Sequence, residues 1–202
     1  VKLDDLQTGS GPVYVAGIVK KIFERKADKS GNPWASILLH DGEKEIGMTV
    51  FGEVYASCKD KLKEKEFVII GGKSKDETFR GQVQLNAEHV YNREESRTLT
   101  SKFLKIAISN PTPEIEEKLM EILDTAPKNA GIISSDVIVY ARRDGVPEKT
   151  NIGDPYRIVL TDETMRAVED LVGVDNVKLH PRAELEPPVL EVRKKNFGPK
   201  RR

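Results

Sequence analysis

Apolar and polar residues alternate in five stretches between residues 13 and 91, and this period of two predicts β-strands. The first stretch covers about residues 13–26 and ends before the turn sequence SGNP. In the second stretch, PWASILLHD, one face carries Ala35, Ile37 and Leu39, and the other face carries Trp34. The third stretch is EIGMTVF, the fourth is KEKEFVIIGGKSK and the fifth is QVQLNAEHV. The pattern therefore predicts five strands with apolar inner faces.

Between the third and fourth strands the apolar residues follow a helical period instead. The stripe at i, i+3, i+4, i+7 and i+11 consists of Phe51, Val54, Tyr55, Cys58 and Leu62. Three strands, one helix and two strands is the element order of an OB-fold. That fold is a five-stranded barrel that binds oligonucleotides or oligosaccharides on its strand 2–3 face and at loops 1–2 and 4–5. We predict such a barrel over residues 13–92, after a polar lead-in at residues 1–12.

The second half of the chain has a different pattern of apolar and polar residues. Residues 93–101 are polar, lack a clear period and are predicted to form a linker. Residues 102–180 then predict the order β-α-β-β-α-β, with KFLKIAI, GIISSDVIVYARR, YRIVL and DNVKL as strands and GVPEKTNIGDP as a loop. Thr112 is the expected N-cap of the first helix, with Pro113 behind it, and Thr161 or Asp162 caps the second helix, which Gly173 ends. This order predicts a small α/β domain of the split βαβ, ferredoxin-like type.

The charge of the chain is balanced in total and uneven along its length. Lysine and arginine together number 33, as do aspartate and glutamate. Residues 100–179 nevertheless hold 10 basic and 14 acidic side chains, whereas residues 180–202 hold 7 basic and 3 acidic ones. Because residues 181–202 also contain four prolines and no period, we predict an extended basic tail there.

No catalytic, metal-binding or cofactor-binding motif stands out. The single cysteine, Cys58, excludes an internal disulfide framework, and His40, His89 and His180 are isolated from one another along the chain. Phosphate-binding loops and nucleophile elbows are absent from the sequence. With no apolar run of about 20 residues and no secretory signal, we expect no membrane span. The single cysteine fits a reducing compartment, and we expect a cytoplasmic chain. Since it begins at Val1 within a polar segment, we expect it to be a fragment of a longer polypeptide.

A nucleic-acid surface is predicted on the barrel. Its candidate cations lie on strand 1 and loop 1–2 and around loop 4–5, and its candidate aromatic residues can stack bases. The predicted contact residues are Lys20, Lys21, Arg25, Lys26, Lys29, Trp34, Lys73, Lys75, Phe79 and Arg80. A second interpretation stays open, because residues 13–92 hold 13 basic and 12 acidic side chains. Lysines on a strand also protect a solvated edge against aggregation.

The sequence resembles the C-terminal region of the bacterial replicative DNA polymerase III alpha subunit. The matching motifs are VAGIV, GNP followed by an alanine, LHDG, VFGEVY, and IGGK followed by QLNA; further along, IEEKLMEIL and AVEDLVGVDNVKL continue the resemblance. It implies an OB domain that contacts single-stranded DNA template and a C-terminal domain that binds the clamp-loader tau subunit. The polymerase's catalytic aspartates would lie upstream of this segment, which needs no cofactor of its own. Trp34 departs from the family, which more often has methionine or a similar residue there, and residues 181–202 lie outside the family pattern.

Two other functions remain open at the level of sequence. An RNA-binding, anticodon-type OB module fused to an adaptor domain has similar strand motifs. A structural interaction protein, whose barrel face packs on another protein, would also fit.

Overall fold

The computed structural model describes residues 6–7, 9, 11–26, 32–75, 83–128, 134–152 and 156–185. The described residues up to Val90 form one compact unit, and those from Tyr91 onward form a second. Within these ranges, no helix is long and apolar enough to cross a membrane.

The first unit is a closed five-stranded barrel with the strand order β1-β2-β3-β5-β4. Its elements are β1 (Val13–Lys26), β2 (Pro33–His40), β3 (Glu45–Phe51), α1 (Gly52–Cys58), a 3₁₀ turn (Lys59–Lys61), β4 (Phe67–Ser74) and β5 (Gln84–Tyr91). Neighbouring strands are antiparallel in the pairs β1–β2, β2–β3 and β1–β4, and parallel in the pair β3–β5. This topology is that of the predicted OB-fold.

The barrel interior is filled by the apolar residues that the alternation predicts. Ile37, Leu39, Met48, Ile70 and Leu85 are all at most 1% exposed. Two close approaches of the backbone require glycine. A Cβ atom at Gly72 would lie 2.1 Å from the carbonyl oxygen of Asn86, and one at Gly17 would lie 2.7 Å from that of His40. Strands that approach this closely leave no room for a side chain between them.

The second unit contains a four-stranded sheet with two helices packed on one side of it. Its elements are α2 (Arg93–Thr100), β6 (Ser101–Ser109), α3 (Pro113–Thr125), β7 (Asp136–Arg143), β8 (Val146–Asn151), α4 (Asp162–Val172), a 3₁₀ turn (Val174–Asn176) and β9 (Val177–Pro181). Thr112 accepts a hydrogen bond from the amide of Ile115, and Thr161 accepts one from that of Thr164, so both predicted threonine caps are present. Leu104, Ile106, Val137, Leu123 and Val168 meet in the core between sheet and helices.

The sheet order differs from the split arrangement that we predicted. It is β8-β7-β6-β9, and β6 pairs with β7 directly and in parallel. In a split βαβ unit another strand would separate these two. The reason lies in β8, whose six residues are all exposed and include Pro147. Proline cannot donate to a ladder and is confined to edge strands, so β8 lies at the edge and the ferredoxin-like prediction is wrong.

The third strand of this unit is also shifted relative to the prediction. The predicted loop contains β8, whereas the predicted strand YRIVL contributes a single bridge between Ile158 and Ser135. Asp144 and Gly145 connect β7 to β8 with φ values of 50° and 81°. Two positive φ values in a two-residue connection are typical of a type I′ hairpin, for which Asp-Gly is a favoured sequence.

Residues 93–101 contain α2 and not an unstructured linker. Asn92 and Glu95 form a reciprocal capping box at its start. The buried residues of α2 are Ser96 and Thr98, which are polar. The helix therefore lacks the apolar stripe from which a helical period is predicted. Thr98 is held in the core, where its hydroxyl accepts a 2.8 Å hydrogen bond from the amide of Leu160.

The predicted extended tail begins at residue 181, but Pro181 belongs to β9. The segment 186–202 lies outside the described residues.

Candidate nucleic-acid interface

The outer surface of β1, β2, β3 and β5 carries the candidate site. On β2, Ala35, Ile37 and Leu39 point into the barrel, so Trp34, which alternates with them, points outward. Residues directly opposite each other on paired strands lie on the same face of a sheet. The partners of the outward β2 residues therefore also point outward. We call this surface the barrel face, and its central members are Lys21, Phe23, Arg25, Trp34, Ser36, Leu38, Gly47, Thr49, Phe51, Gln84 and Asn86.

An aromatic pair and a guanidinium occupy one row of the barrel face. Trp34 pairs with Arg25 on β1 and with Phe51 on β3. The ring centroids of Trp34 and Phe51 are 5.7 Å apart, and their planes are tilted by 31°. The guanidinium carbon of Arg25 lies 5.9 Å from the Trp34 ring centroid, within cation–π range. Phe51 is 42% exposed, so this row offers a ring surface to a ligand.

A third aromatic residue, Phe23, lies in the next row and is 48% exposed. It pairs with Ser36, which in turn pairs with Thr49. A register shift between Val19 and Lys21 marks a β-bulge in β1. The bulge reverses which residues of β1 point outward, so Phe23 and Arg25 join the barrel face instead of the core.

The two adjacent lysines of β1 have different surroundings. The ammonium group of Lys20 forms an ion pair with the carboxylate of Glu45 on β3, and this hydrogen bond holds the pKa of Glu45 below its ordinary value. Lys21 follows the bulge, is exposed and pairs with Leu38 on the barrel face. Lys21 is therefore the better placed of the two to meet a phosphate.

A second cation borders the face from the opposite side. The row that begins at Lys21 continues through Leu38 and Gly47 to Gln84. The Nζ atom of Lys75 donates a 2.8 Å hydrogen bond to Oε1 of Gln84, and the Lys75 amide donates to the Gln84 carbonyl. A lysine thus stands at each end of this row.

The remaining predicted contact residues are more dispersed. Lys73 is exposed on β4, two residues before Lys75. Lys26 is exposed at the end of β1, opposite Pro33, and its place in the alternation is opposite to that of Arg25. Lys29, Phe79 and Arg80 belong to predicted loop positions that lie outside the described residues.

Phe23 and Phe51 are not among the contact residues predicted from the sequence. Phe51 belongs to the predicted helical stripe, but it also alternates with the inward residues Ile46, Met48 and Val50 of β3 and therefore faces outward. The alternation along β3 therefore identifies Phe51 as an outward-facing residue from the sequence alone. Phe23 is harder to predict. The sequence shows only an aromatic residue within the basic stretch KKIFERK, and it does not predict the bulge that turns this residue outward.

Two ionisable side chains of α1, Tyr55 and Cys58, are buried in the core of the first unit, and both are kept protonated. Burial raises the pKa of the Cys58 thiol to about 11. Burial and a hydrogen bond to Glu24 raise the pKa of Tyr55 to about 12. In the part of the chain that the structure describes, no three histidine, cysteine, aspartate or glutamate side chains form a group that could hold a metal ion.

Comparisons with known proteins agree with the barrel fold. The tRNA anticodon family model, described as an OB-fold nucleic acid binding domain, matches residues 13–92. Over 181 residues the chain is 23% identical to the DNA polymerase III subunit alpha of Pseudomonas aeruginosa, which covers 90% of this chain and 15% of that protein. The corresponding protein of Haemophilus influenzae is 25% identical over 168 residues, covering 82% of this chain and 14% of that protein. The chain is similar to bacterial DNA polymerase III alpha subunits.

The similarity to DNA polymerase III alpha subunits extends beyond the barrel, because the alignments of 168 and 181 residues are longer than the 13–92 segment. It fits the OB region near the C-terminus of those subunits. The chain spans about 15% of the length of the Pseudomonas aeruginosa alpha subunit. Among solved structures, the SSB domain of a Synechococcus sp. protein has a TM-score of 0.37 and 16% identity, over 43% of this chain and 99% of that domain.

Proposed function

We propose that the chain is a non-catalytic, C-terminal part of a replicative DNA polymerase alpha subunit, and that its barrel face binds single-stranded DNA template. The observation that carries this proposal is the row Arg25–Trp34–Phe51, which puts two aromatic rings and a guanidinium on the outer face of β1, β2 and β3. In OB-folds this surface and the adjoining loops are where oligonucleotides bind.

Binding would combine two kinds of contact. A base that stacks on Trp34, Phe51 or Phe23 contributes about 1–3 kcal/mol without regard to its identity. Arg25, Lys21 and Lys75 border these rings and would contact phosphates. Each phosphate contact releases condensed counterions, so affinity would fall as salt rises. Template binding that tolerates any sequence is what a replicative polymerase needs from such a surface.

The proposed function is tested by the affinity of the purified chain for labelled oligonucleotides, measured by fluorescence anisotropy at low and high salt. We expect single-stranded DNA to bind more tightly than duplex DNA, with a negative salt slope. RNA of the same sequence is the third ligand. A clear preference for RNA would favour an anticodon-type module, and the absence of binding to any of the three would favour a barrel face that packs on another protein.

The second unit is proposed to dock a replisome partner of the clamp-loader tau type. This part of the proposal is supported by the similarity to alpha subunits, which continues through residues beyond the barrel. Isothermal titration calorimetry with a purified tau-type subunit tests it. We expect binding that single-stranded DNA does not abolish, and the lack of any heat signal at high protein concentration would contradict it.

A further inference from the structure

The sheet of the second unit has two chemically different faces. Helices α3 and α4 cover the face that carries Leu104, Ile106 and Val137. The opposite face alternates with it and is formed by residues from all four strands. We call it the open sheet face, and its members are Phe103, Lys105, Ala107, Ser109, Asp136, Ile138, Tyr140, Arg142, Pro147, Lys149, Asn151, Lys178 and His180.

Each strand contributes one cation to the open sheet face. In sheet order these are Lys178 on β9, Lys105 on β6, Arg142 on β7 and Lys149 on β8. Three strand spacings of roughly 4.8 Å separate the strands of the outer two by about 14 Å. Lys149 also lies two residues along β8 from Asn151, which is in the row of Lys178. All but Lys105 are exposed, and Lys105 is half-buried.

Acidic residues are nearly absent from the same surface. Among the described strand residues of the open sheet face, Asp136 is the acidic one, and its carboxylate lies 3.2 Å from Nε of Arg157. Several exposed acidic side chains of this unit lie instead on α3, among them Glu114, Glu117 and Glu121. The unit is therefore polarised, although its net charge is negative.

Aromatic rings stand on and beside the two central strands, among the cations. The Nζ atom of Lys105 lies 4.4 Å from the ring centroid of Tyr140, and that of Lys149 lies 5.9 Å from it. Phe103 stacks on His180 of the neighbouring strand, with centroids 4.3 Å apart and planes 17° apart. An acidic peptide would need the cations alone, whereas nucleic acid uses cations for phosphates and rings for bases.

We propose that the open sheet face is a second binding surface for single-stranded nucleic acid. Phosphates would contact Lys178 and Lys105, which are direct partners, and Lys149 and Arg142, which lie two and four residues further along their strands. Bases would stack against Tyr140 and the Phe103–His180 pair. This surface is separate from the barrel face, and its existence does not depend on the function proposed for the barrel.

Photo-cross-linking with mapping of the linked peptides tests this inference on the full chain. The probe is an oligodeoxythymidine in which 5-iododeoxyuridine replaces some thymidines. We expect cross-links in peptides that contain Tyr140, Phe103 or His180. Lys149→Glu and Lys178→Glu, made separately at opposite edges of the sheet, should each lower this yield by about fivefold at low salt. Lys118→Glu, on the exposed side of α3, is the matched control and should leave it unchanged.

The map distinguishes this inference from the proposed function, because cross-links in residues 13–91 report on the barrel alone. Cross-links confined to the barrel would overturn the second surface and leave the first intact. Cross-links confined to the second unit would contradict binding at the barrel face and support the open sheet face. Binding of a polyglutamate peptide that Lys149→Glu abolishes, without any oligonucleotide cross-link at Tyr140, would overturn the inference and assign the face to an acidic protein.

Discussion

The ring of Trp34 on β2 lies against the ring of Phe51 on β3, with centroids 5.7 Å apart on the outer surface of the barrel. Phe51→Ala removes one side of this pair and an exposed ring. We expect the affinity for single-stranded DNA to fall about tenfold, which corresponds to ~1.4 kcal/mol of lost stacking. Anisotropy titrations with labelled oligodeoxythymidine measure the change.

Phe67→Ala is the matched control for that variant. Phe67 is 38% exposed on β4, where it pairs with Ile18 away from the row of Trp34. Its loss should leave the affinity unchanged. Equal effects of the two substitutions would mean that the Trp34–Phe51 pair has no special role in binding.

The neighbouring residues Lys20 and Lys21 provide a test of the electrostatic contribution. Lys20 is neutralised by Glu45, whereas Lys21 is exposed on the barrel face. Lys21→Ala should weaken binding and reduce the salt slope by about one phosphate contact, and Lys20→Ala should have a smaller effect on both. If the two variants have the same salt slope as the unmodified chain, lysines of β1 do not contact phosphate.

Gly72 should be indispensable to the barrel because a Cβ atom there would meet the Asn86 carbonyl at 2.1 Å. Gly72→Ala is expected to lower the free energy of unfolding by about 2 kcal/mol or more, since neither backbone can move without breaking the ladder. Gly47→Ala is the control, because no atom lies within 4 Å of its Cβ position. Urea denaturation of both variants measures the difference, and a Gly72→Ala variant as stable as Gly47→Ala would contradict the close approach.

Asp162 fastens α2 to the start of α4 through ion pairs with Arg93 and Arg97. The hydrogen bond from Arg97 is the main cause that lowers the pKa of Asp162 below its ordinary value of 3.8. The pair therefore stabilises the folded unit fully above pH 3.8, and its contribution is lost as the pH falls through the lowered pKa.

Asp162→Asn should consequently destabilise the second unit at neutral pH. Thermal unfolding followed from neutral pH to below pH 3.8 should show the difference between the variant and the unmodified chain shrinking at the acidic end. A difference that is constant over this range would show that the carboxylate charge does not stabilise the fold.

Much of the barrel follows from its sequence because each strand has one buried face. Ala35, Ile37 and Leu39 fill the interior, and this requirement is visible as a period of two that also orients Trp34. The alternation does not predict irregularities within a strand. The bulge between Val19 and Lys21 reverses which residues of β1 point outward, and no residue type at this position predicts it.

The errors in the second unit have local physical causes. The Asp144–Gly145 sequence is typical of a two-residue hairpin. Every residue of β8, the strand that follows it, is exposed, so this strand shows no alternation of apolar and polar residues. The core of α2 is polar, and its stability rests on the Asn92 cap and on partners far along the chain, such as Leu160 and Asp162. Contacts of that kind become visible only when the fold brings the segments together.

The intrinsic fluorescence of Trp34 tests the central claim most directly, because this residue is the only tryptophan of the chain. Titration with unlabelled oligodeoxythymidine should change its emission in a saturable way, with a midpoint equal to the dissociation constant from anisotropy. The midpoint should move to higher oligonucleotide concentration as salt is raised. Emission that stays constant while anisotropy reports saturated binding would contradict a binding site centred on Trp34.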